Sequence, residues 1–105
     1  MTTAVKTIAP EILKALADPV RFDICRSLAF EELCVCHLTE DLGLSQPLLS
    51  HHLKVLREAG LVETRKHSYW SYYRLRPEAL QAVAHQLETL SRQASLVVTA
   101  RPCPV

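Results

Sequence analysis

Apolar side chains recur every three or four residues over much of the chain, which is the spacing of one face of an α-helix. This pattern predicts helices over about residues 10–17, 19–30, 36–42 and 45–59. Asp18 and Ser45 are good N-caps, and each is followed by a proline in the first turn of its helix. Gly43 and Gly60 stand where helices are expected to end. The first 60 residues are therefore predicted to form four short helices.

The pattern changes to β-favouring residues between Leu61 and Leu75. Leu61-Val62 and the aromatic run at residues 69–73 predict two short strands, joined by a polar turn at Lys66-His67-Ser68. Four of the six aromatic side chains fall in the second strand. We therefore expect this hairpin to pack firmly on the helices.

A last helix is predicted from Pro77 to about residue 98. Its apolar residues repeat at Leu80, Val83, Leu87, Leu90, Ala94 and Val97. A domain of this size has too little core to cover a helix about 30 Å long. We therefore expect the second half of this stripe to pack against a second copy of the chain. Residues 1–98 are interpreted as one domain with terminal dimerisation helices, and residues 99–105 as a flexible tail.

Length and composition limit the classes of protein that remain. A chain of 105 residues holds one domain, and its longest apolar run, Leu33 to Cys36, is four residues long. We therefore expect no transmembrane helix, no secretory signal, and a cytoplasmic protein with reduced cysteines. The chain has two glycines, which are too few for the glycine-rich loops of nucleotide-binding enzymes. It is predicted not to be an enzyme.

The net charge of +1 conceals an uneven distribution. Residues 1–45 carry four basic and seven acidic side chains, residues 46–76 carry six basic and two acidic ones, and residues 77–105 carry two of each. A basic block in a nearly neutral chain is typical of a site for a polyanion. Because this block contains the fourth helix and the hairpin, it favours nucleic acid as the partner.

The order of short helix, glycine turn, capped basic helix and hairpin is that of a winged helix-turn-helix. The predicted fold class is α+β, mainly α, with four helices, a two-stranded wing and a long C-terminal helix. The fourth helix would enter the major groove of double-stranded operator DNA, and the wing would reach backbone or minor groove. The candidate contacts are Gln46 and Ser50 for bases, His51, Lys54 and Arg57 for phosphates, and Arg65 and Lys66 on the wing.

Cys34 and Cys36 form a Cys-x-Cys pair, which is seldom a disulfide in a reduced chain. Soft thiolates select soft ions such as Cd(II), or a thiophilic metalloid. Residues two apart diverge by about 200° on a regular helix but face the same way in an extended chain. One ion would therefore bind both sulfurs only where the start of the third helix is unwound. Such binding is predicted to strain the helix that supports the recognition helix.

The stretch ELCVCHLTEDLGLSQPLLSHHLKVLREAGLVETRKHSYWSYYRL, residues 32–75, is similar to the ArsR/SmtB family of bacterial metal-responsive repressors. LADPVRFDI, residues 16–24, resembles the start of that family's second helix. The resemblance implies a homodimeric repressor that binds operator DNA. ELCVC resembles the family's arsenic- and cadmium-sensing motif. This resemblance implies that trivalent arsenic binds Cys34 and Cys36 and releases the repressor from its operator. The implied inducers are arsenite, methylarsenite and the related antimonite. As(III) would act as inducer, and no permanently bound cofactor is implied.

The chain departs from the family's pattern where a third ligand is expected. The family's best-known arsenic sensors carry a third cysteine at the position of Thr39. The family's zinc site on the last helix needs paired histidine and acidic residues, and His85 is the single histidine of this helix. Cys103 on the tail is the first candidate for a third ligand, with Cys25 and His37 as alternatives. A site of two thiolates would still suit a methylated trivalent arsenical.

Other functions remain open at this point. A repressor of the same fold could sense Cd, Pb or Hg ions, or oxidants and reactive sulfur species, through the same thiols. A metal-buffering thiol protein that does not bind DNA is a more distant alternative, because it leaves the basic helix and the wing without a use. A thiol oxidoreductase would need a C-x-x-C motif and a βαβ pattern, which the chain lacks.

Overall fold

The structure is a computed structural model that describes residues 10–104. These residues form the helices α1 (Pro10–Ala17), α2 (Pro19–Leu28), α3 (Val35–Leu42), α4 (Gln46–Glu58) and α5 (Pro77–Ser95). The strands β1 (Leu33–Cys34), β2 (Val62–His67) and β3 (Trp70–Leu75) make an antiparallel sheet in the order β1-β3-β2. The prediction of a mainly α winged helix-turn-helix is confirmed. Residues 1–9 of the predicted domain and Val105 of the predicted tail lie outside the described residues.

Side-chain caps explain where two of the helices begin. Asp18 Oδ1 accepts the backbone N–H groups of Val20 and Arg21 at 2.8 and 3.1 Å, so Asp18 caps α2. Ser45 Oγ accepts the N–H of Leu48 at 3.4 Å and caps α4. Both caps satisfy N–H groups that have no partner inside their own helix. The two predicted N-caps are confirmed.

Glycines end the two helices of the helix-turn-helix. Gly43, after α3, has φ of +67°, and Gly60, just beyond α4, has φ of +83°. Glycine adopts this left-handed conformation without the steric cost that a Cβ atom brings. The short turn at residues 43–45 therefore sets the direction in which α4 leaves α3.

Several predicted helix boundaries were wrong by one to three residues. α2 ends at Leu28 rather than residue 30, since the N–H of Ala29 already bonds to the Arg26 carbonyl in a tighter turn. α3 begins one residue earlier than predicted, and α4 is one residue shorter at each end. α5 ends at Ser95 rather than residue 98, where Val97, Val98 and Thr99 bring β-branched side chains with low helix propensity.

The core lies between α2, α3 and the inner face of α4. On α4 the buried residues are Leu49, His52, Leu53 and Leu56, at helical spacing. They meet buried side chains from the elements on either side, including Ile24, Leu28, Leu38, Leu61 and Val62. The inner face of α4 therefore packs into the core, and its opposite face is exposed.

The wing differs from the predicted two-stranded hairpin. The two-residue strand β1 adds a third strand, with Leu33 opposite Tyr73 and Cys34 opposite Tyr72. β2 continues to His67, which pairs with Trp70, so the turn is Ser68-Tyr69 rather than residues 66–68. The expected firm packing of the aromatic residues was also wrong in part, because Tyr69 is 95% exposed. Tyr73 alone of the four packs against the buried core cluster.

The last helix divides into a packed half and an exposed half. Val83 is buried, and Ala79 and Leu80 pack against the core. Further along, Leu87 is 55% exposed and Leu90 is 63% exposed. The first half of α5 therefore packs on its own domain. Residues 99–104 are exposed and form neither helix nor strand, and no helix in residues 10–104 is long and apolar enough to span a membrane.

Candidate nucleic-acid interface and thiol site

The outer face of α4 carries the predicted DNA-contacting side chains. All five of them are exposed: Gln46, Ser50, His51, Lys54 and Arg57. Gln46 and Ser50 lie in the first half of the helix, whose free N–H groups at the N-terminus favour a nearby phosphate. Lys54 and Arg57 follow one and two turns later on the solvent side. The helix therefore presents hydrogen-bonding groups at its start and positive charge along its length.

His52 is a buried residue that the sequence analysis did not single out. Its Nδ1 lies 3.3 Å from Nη1 of Arg21, whose Nε donates to the carbonyl of Ala15 at 2.9 Å. Because guanidinium only donates, the contact requires an unprotonated Nδ1. His52 thus anchors α4 to the end of α1 through Arg21. The spacing of Leu49, His52, Leu53 and Leu56 was the available signal, since these positions share one helix face.

The pKa of His52 is lowered, chiefly because burial disfavours the charged ring. Arg21 and His51 also lower this pKa, whereas Asp18 raises it. The unfolded chain therefore binds this proton more readily than the folded chain. The stabilising contribution of His52 is complete above the ordinary histidine pKa of about 6.5 and declines as the pH falls below it.

We expect the wild-type protein to lose more stability on acidification than His52→Gln, which keeps a hydrogen-bonding side chain that cannot titrate. Urea unfolding at about pH 7.5 and about pH 5.5 measures the difference. His85→Gln, at an exposed position on α5, serves as the control and should retain the wild-type pH dependence. Equal acid destabilisation of wild type and His52→Gln would contradict the assignment.

The wing carries the other two predicted contacts, and both Arg65 and Lys66 are exposed. The Arg65 guanidinium lies 3.6 Å from the carboxylate of Glu32, which is also 3.9 Å from Arg74. Arg74 pairs in turn with Glu63. Ion pairs between exposed side chains contribute at most about 1 kcal/mol. Arg65 can therefore exchange Glu32 for a DNA phosphate at little cost.

The Cys-x-Cys pair spans the junction between β1 and α3. Cys34 is buried, ends β1 and is also the N-cap of α3, with extended backbone at φ −89° and ψ 172°. Cys36 is exposed in the first turn of the helix. The two thiols are therefore not both on a regular helix, because Cys34 already has the extended conformation of a strand. Both thiols are free.

His37 lies against Cys34. Its Nδ1 accepts the backbone N–H of Cys34 at 3.3 Å and lies 3.2 Å from Cys34 Sγ. On the other side its ring centroid lies 6.4 Å from that of Tyr72. His37 was predicted as an alternative ligand, but its contact with Cys34 was not predicted from the sequence. Its position three residues after an N-cap is where a side chain commonly bonds back to the capping residue.

The other two cysteines, Cys25 and Cys103, differ from this pair in thiol pKa or in position. Burial raises the pKa of the Cys25 thiol to about 11, so its thiolate form is disfavoured at neutral pH. Cys103 is exposed beyond the last helix. Thr39 Oγ1 donates to the carbonyl of Cys36 at 2.9 Å. Among residues 10–104, no three His, Cys, Asp or Glu side chains are grouped so that they could hold a metal ion.

The fold and the exposed side chains of α4 and the wing define the class as a winged helix-turn-helix regulator. Residues 11–64 match the family described as bacterial regulatory protein, arsR family. The arsenic resistance transcriptional regulator ArsR1 of Pseudomonas putida (strain KT2440) is 49% identical over 80 residues, which are 75% of this chain and 62% of that protein. The arsenical resistance operon repressor of Staphylococcus xylosus is 42% identical over 80 residues, covering 76% of this chain and 77% of that repressor.

A solved structure is also similar to this chain in both sequence and fold. The transcriptional repressor BigR from Xylella fastidiosa is 36% identical and has a TM-score of 0.62, over 85% of this chain and 86% of that chain. The chain belongs to the arsR family of bacterial regulatory proteins. It is a transcriptional regulator and not an enzyme, as the sequence analysis predicted.

Proposed function

We propose that the chain is a homodimeric, cytoplasmic repressor of arsenic-resistance genes that leaves its operator DNA when trivalent arsenic binds Cys34 and Cys36. The observation that carries the proposal is the position of this thiol pair. Cys34 and Cys36 lie where β1 becomes α3, and α3 leads through the turn at Gly43 into α4. The names of the arsenic-resistance relatives, which are 42–49% identical to this chain, support the same inducer.

The chemistry of the pair suits a thiophilic metalloid. Trivalent arsenic forms stable bonds to thiolate sulfur, and soft ligands select soft ions. Each As–S bond forms as a thiol loses its proton and an arsenic-bound hydroxide leaves as water. Binding two sulfurs with one atom would require the backbone between Cys34 and Cys36 to adjust, since Cys36 lies within the first turn of α3. We propose that this adjustment changes how α3 supports α4.

The last helix supports the proposed dimer. Leu87 and Leu90 lie half or more exposed on the face of α5 whose earlier residue Val83 is buried. A second copy would cover these leucines and place two recognition helices on one DNA duplex. We therefore expect an operator with two related half-sites about one helical turn apart.

DNA binding to the upstream region of the chain's own gene tests the function, with a panel of possible inducers. We expect arsenite, antimonite and methylarsenite to release the protein in a gel shift, with Cd(II), Pb(II), Hg(II), hydrogen peroxide and polysulfide as comparisons. Release by Cd(II) or by polysulfide, without release by any trivalent arsenical, would contradict the proposed inducer. Absence of binding to any segment of that region would contradict the proposed repressor.

The roles proposed for the α4 and wing residues differ in their sequence dependence. Lys54→Ala and Arg65→Ala should weaken binding to all DNA sequences. The slope of the logarithm of the DNA-binding constant against the logarithm of salt concentration should become shallower by about 1 for each lost phosphate contact. Gln46→Ala should instead lose about 1–3 kcal/mol of preference for the operator over altered half-sites. Fluorescence anisotropy at several salt concentrations measures both. Arg92→Ala on α5 is the matched control, and a change in its salt slope equal to that of Lys54→Ala would contradict the assigned interface.

The identity of any third ligand can be tested with two inducers. If Cys103 supplies a third thiolate, Cys103→Ser should lose its response to arsenite and keep its response to methylarsenite, which needs only two protein sulfurs. Unchanged responses to both would leave either a site of two thiolates or a site completed by Cys25. Gel shifts with the two arsenicals at matched concentrations distinguish these outcomes.

A further inference from the structure

One row of the sheet connects the thiol site to the wing. Because β3 lies between β1 and β2, Tyr72 is opposite Cys34 on one side and opposite Arg65 on the other. Directly opposite residues in neighbouring antiparallel strands project to the same face of a sheet. Cys34, Tyr72 and Arg65 therefore share a row and a face.

Side-chain contacts follow the same route. Nδ1 of His37 lies 3.2 Å from Cys34 Sγ, and the His37 ring is tilted by 50° against the ring of Tyr72 at a centroid distance of 6.4 Å. Tyr72 in turn makes an edge-to-face contact with His67, at a centroid distance of 5.2 Å and an angle of 90°. His67 is the last residue of β2, at the turn of the wing. The route thus runs from the buried thiol to the wing tip through side chains on a single face.

An ion pair joins the same two regions independently of the rings. Glu32 directly precedes β1, and its carboxylate lies 3.6 Å from Arg65 on β2. A shift of β1 would therefore move the acidic partner of Arg65 as well as the backbone opposite Tyr72. β1 pairs with β3 through only two residues, so it can be displaced more readily than β2, which pairs through six.

We propose that Tyr72 is the positioning residue through which a ligand on Cys34 acts on the wing. The inference rests on the proposed function, since it assumes that Cys34 binds the inducer. A ligand that takes the Cys34 sulfur replaces its contact with His37, and the ring of His37 then no longer holds Tyr72. Tyr72 and the β1 backbone shift together, and Arg65 and His67 lose the arrangement that fits DNA. Ligand binding at Cys34 thereby changes the wing as well as α4, and both changes favour release from DNA.

The test compares the loss of operator affinity caused by arsenite in the wild type, Tyr72→Leu and Tyr72→Phe. We expect the factor by which arsenite lowers operator affinity to be about 2- to 30-fold smaller in Tyr72→Leu than in the wild type. This is the usual effect of a substitution between two coupled sites. Tyr72→Phe keeps the ring and should retain the wild-type factor. Arsenite affinity of the free protein, measured by calorimetry, should be the same in all three proteins, because Tyr72 supplies no ligand.

Trp70→Leu is the matched control. Trp70 is an aromatic residue on the same strand and the same face, two residues nearer the wing tip, and pairs with His67 rather than with Cys34. It should keep the wild-type release factor even if its affinity for DNA changes. A smaller factor in Trp70→Leu, equal to that of Tyr72→Leu, would mean that any aromatic of the wing has this effect and would overturn the specific role of Tyr72.

The outcomes separate this inference from the proposed function. If arsenite fails to release the wild type, the proposed function fails, and with it the premise of the inference. If the wild type is released and a folded Tyr72→Leu is released by the same factor, the proposed function stands and the inference is overturned. Should circular dichroism show that Tyr72→Leu does not fold, His37→Ala at its exposed position removes the same ring contact. A wild-type release factor in folded His37→Ala would then overturn the inference.

Discussion

Cys34→Ser and Cys36→Ser are each expected to bind the operator with wild-type affinity and to remain bound when arsenite is added. The reason is that both sulfurs lie at the β1–α3 junction, away from the exposed face of α4 that carries the proposed DNA contacts. Serine is also a good N-cap, so replacing Cys34 should preserve the start of α3. Fluorescence anisotropy with a labelled operator measures both properties in one titration.

The expected size of the arsenite response follows from the coupling free energy between arsenite binding and operator binding. Coupling free energies of about 1–3 kcal/mol correspond to a 5- to 150-fold loss of operator affinity in the wild type. Each serine variant should reduce this factor to one. Cys25→Ala is the matched control, since its thiol is buried in the core and has a raised pKa, and it should respond as the wild type does. Release of the Cys34→Ser/Cys36→Ser double variant by arsenite would place the sensing site elsewhere.

Replacing Leu87 and Leu90 by glutamate is expected to give a folded monomer that has lost specific DNA binding. These side chains are 55% and 63% exposed on one chain, and covering each in a dimer would contribute on the order of 1 kcal/mol. Charges in that position would have to be buried without partners, which is strongly unfavourable. A monomer engages a single half-site, so operator affinity should fall about 1,000-fold or more, toward the non-specific range.

Sedimentation and anisotropy together check this prediction. The control is Gln81→Glu/Thr89→Glu, which adds the same two charges to α5 at exposed positions on the opposite side of the helix. It should remain dimeric and bind the operator normally. Specific operator binding by a Leu87→Glu/Leu90→Glu protein that sediments as a monomer would contradict the proposed assembly, as would a monomeric wild type at the concentration used for DNA binding.

Strong local signals explain how much of the fold could be predicted from the sequence. The caps at Asp18 and Ser45 and the glycines after α3 and α4 are set by short-range hydrogen bonds and backbone conformation, which the sequence displays directly. β1 was missed because a two-residue strand has no period of its own and forms only by pairing with β3. The wing turn moved to Ser68-Tyr69 because β2 continues its pairing through His67.

The candidate site was predictable where chemistry depends on residue type and not where it depends on contacts. The outward face of α4 follows from helical periodicity, and a Cys-x-Cys pair is visible in the sequence. The contact of His37 with Cys34 is local, because a residue three positions after an N-cap commonly bonds back to it. The contact of His52 with Arg21 and the row formed by Cys34, Tyr72 and Arg65 arise from tertiary packing. Nothing in the order of residues shows that these distant positions meet.

The most direct test of the account is the affinity of arsenite for the free protein and for the protein saturated with operator DNA. Coupling between two binding sites is reciprocal, so operator DNA must weaken arsenite binding by the same factor by which arsenite weakens operator binding. The account predicts equal factors for the wild type, in the range of about 5- to 150-fold, and no high-affinity arsenite binding by the Cys34→Ser/Cys36→Ser variant. Arsenite binding of equal strength to the free and the operator-bound wild type would contradict it.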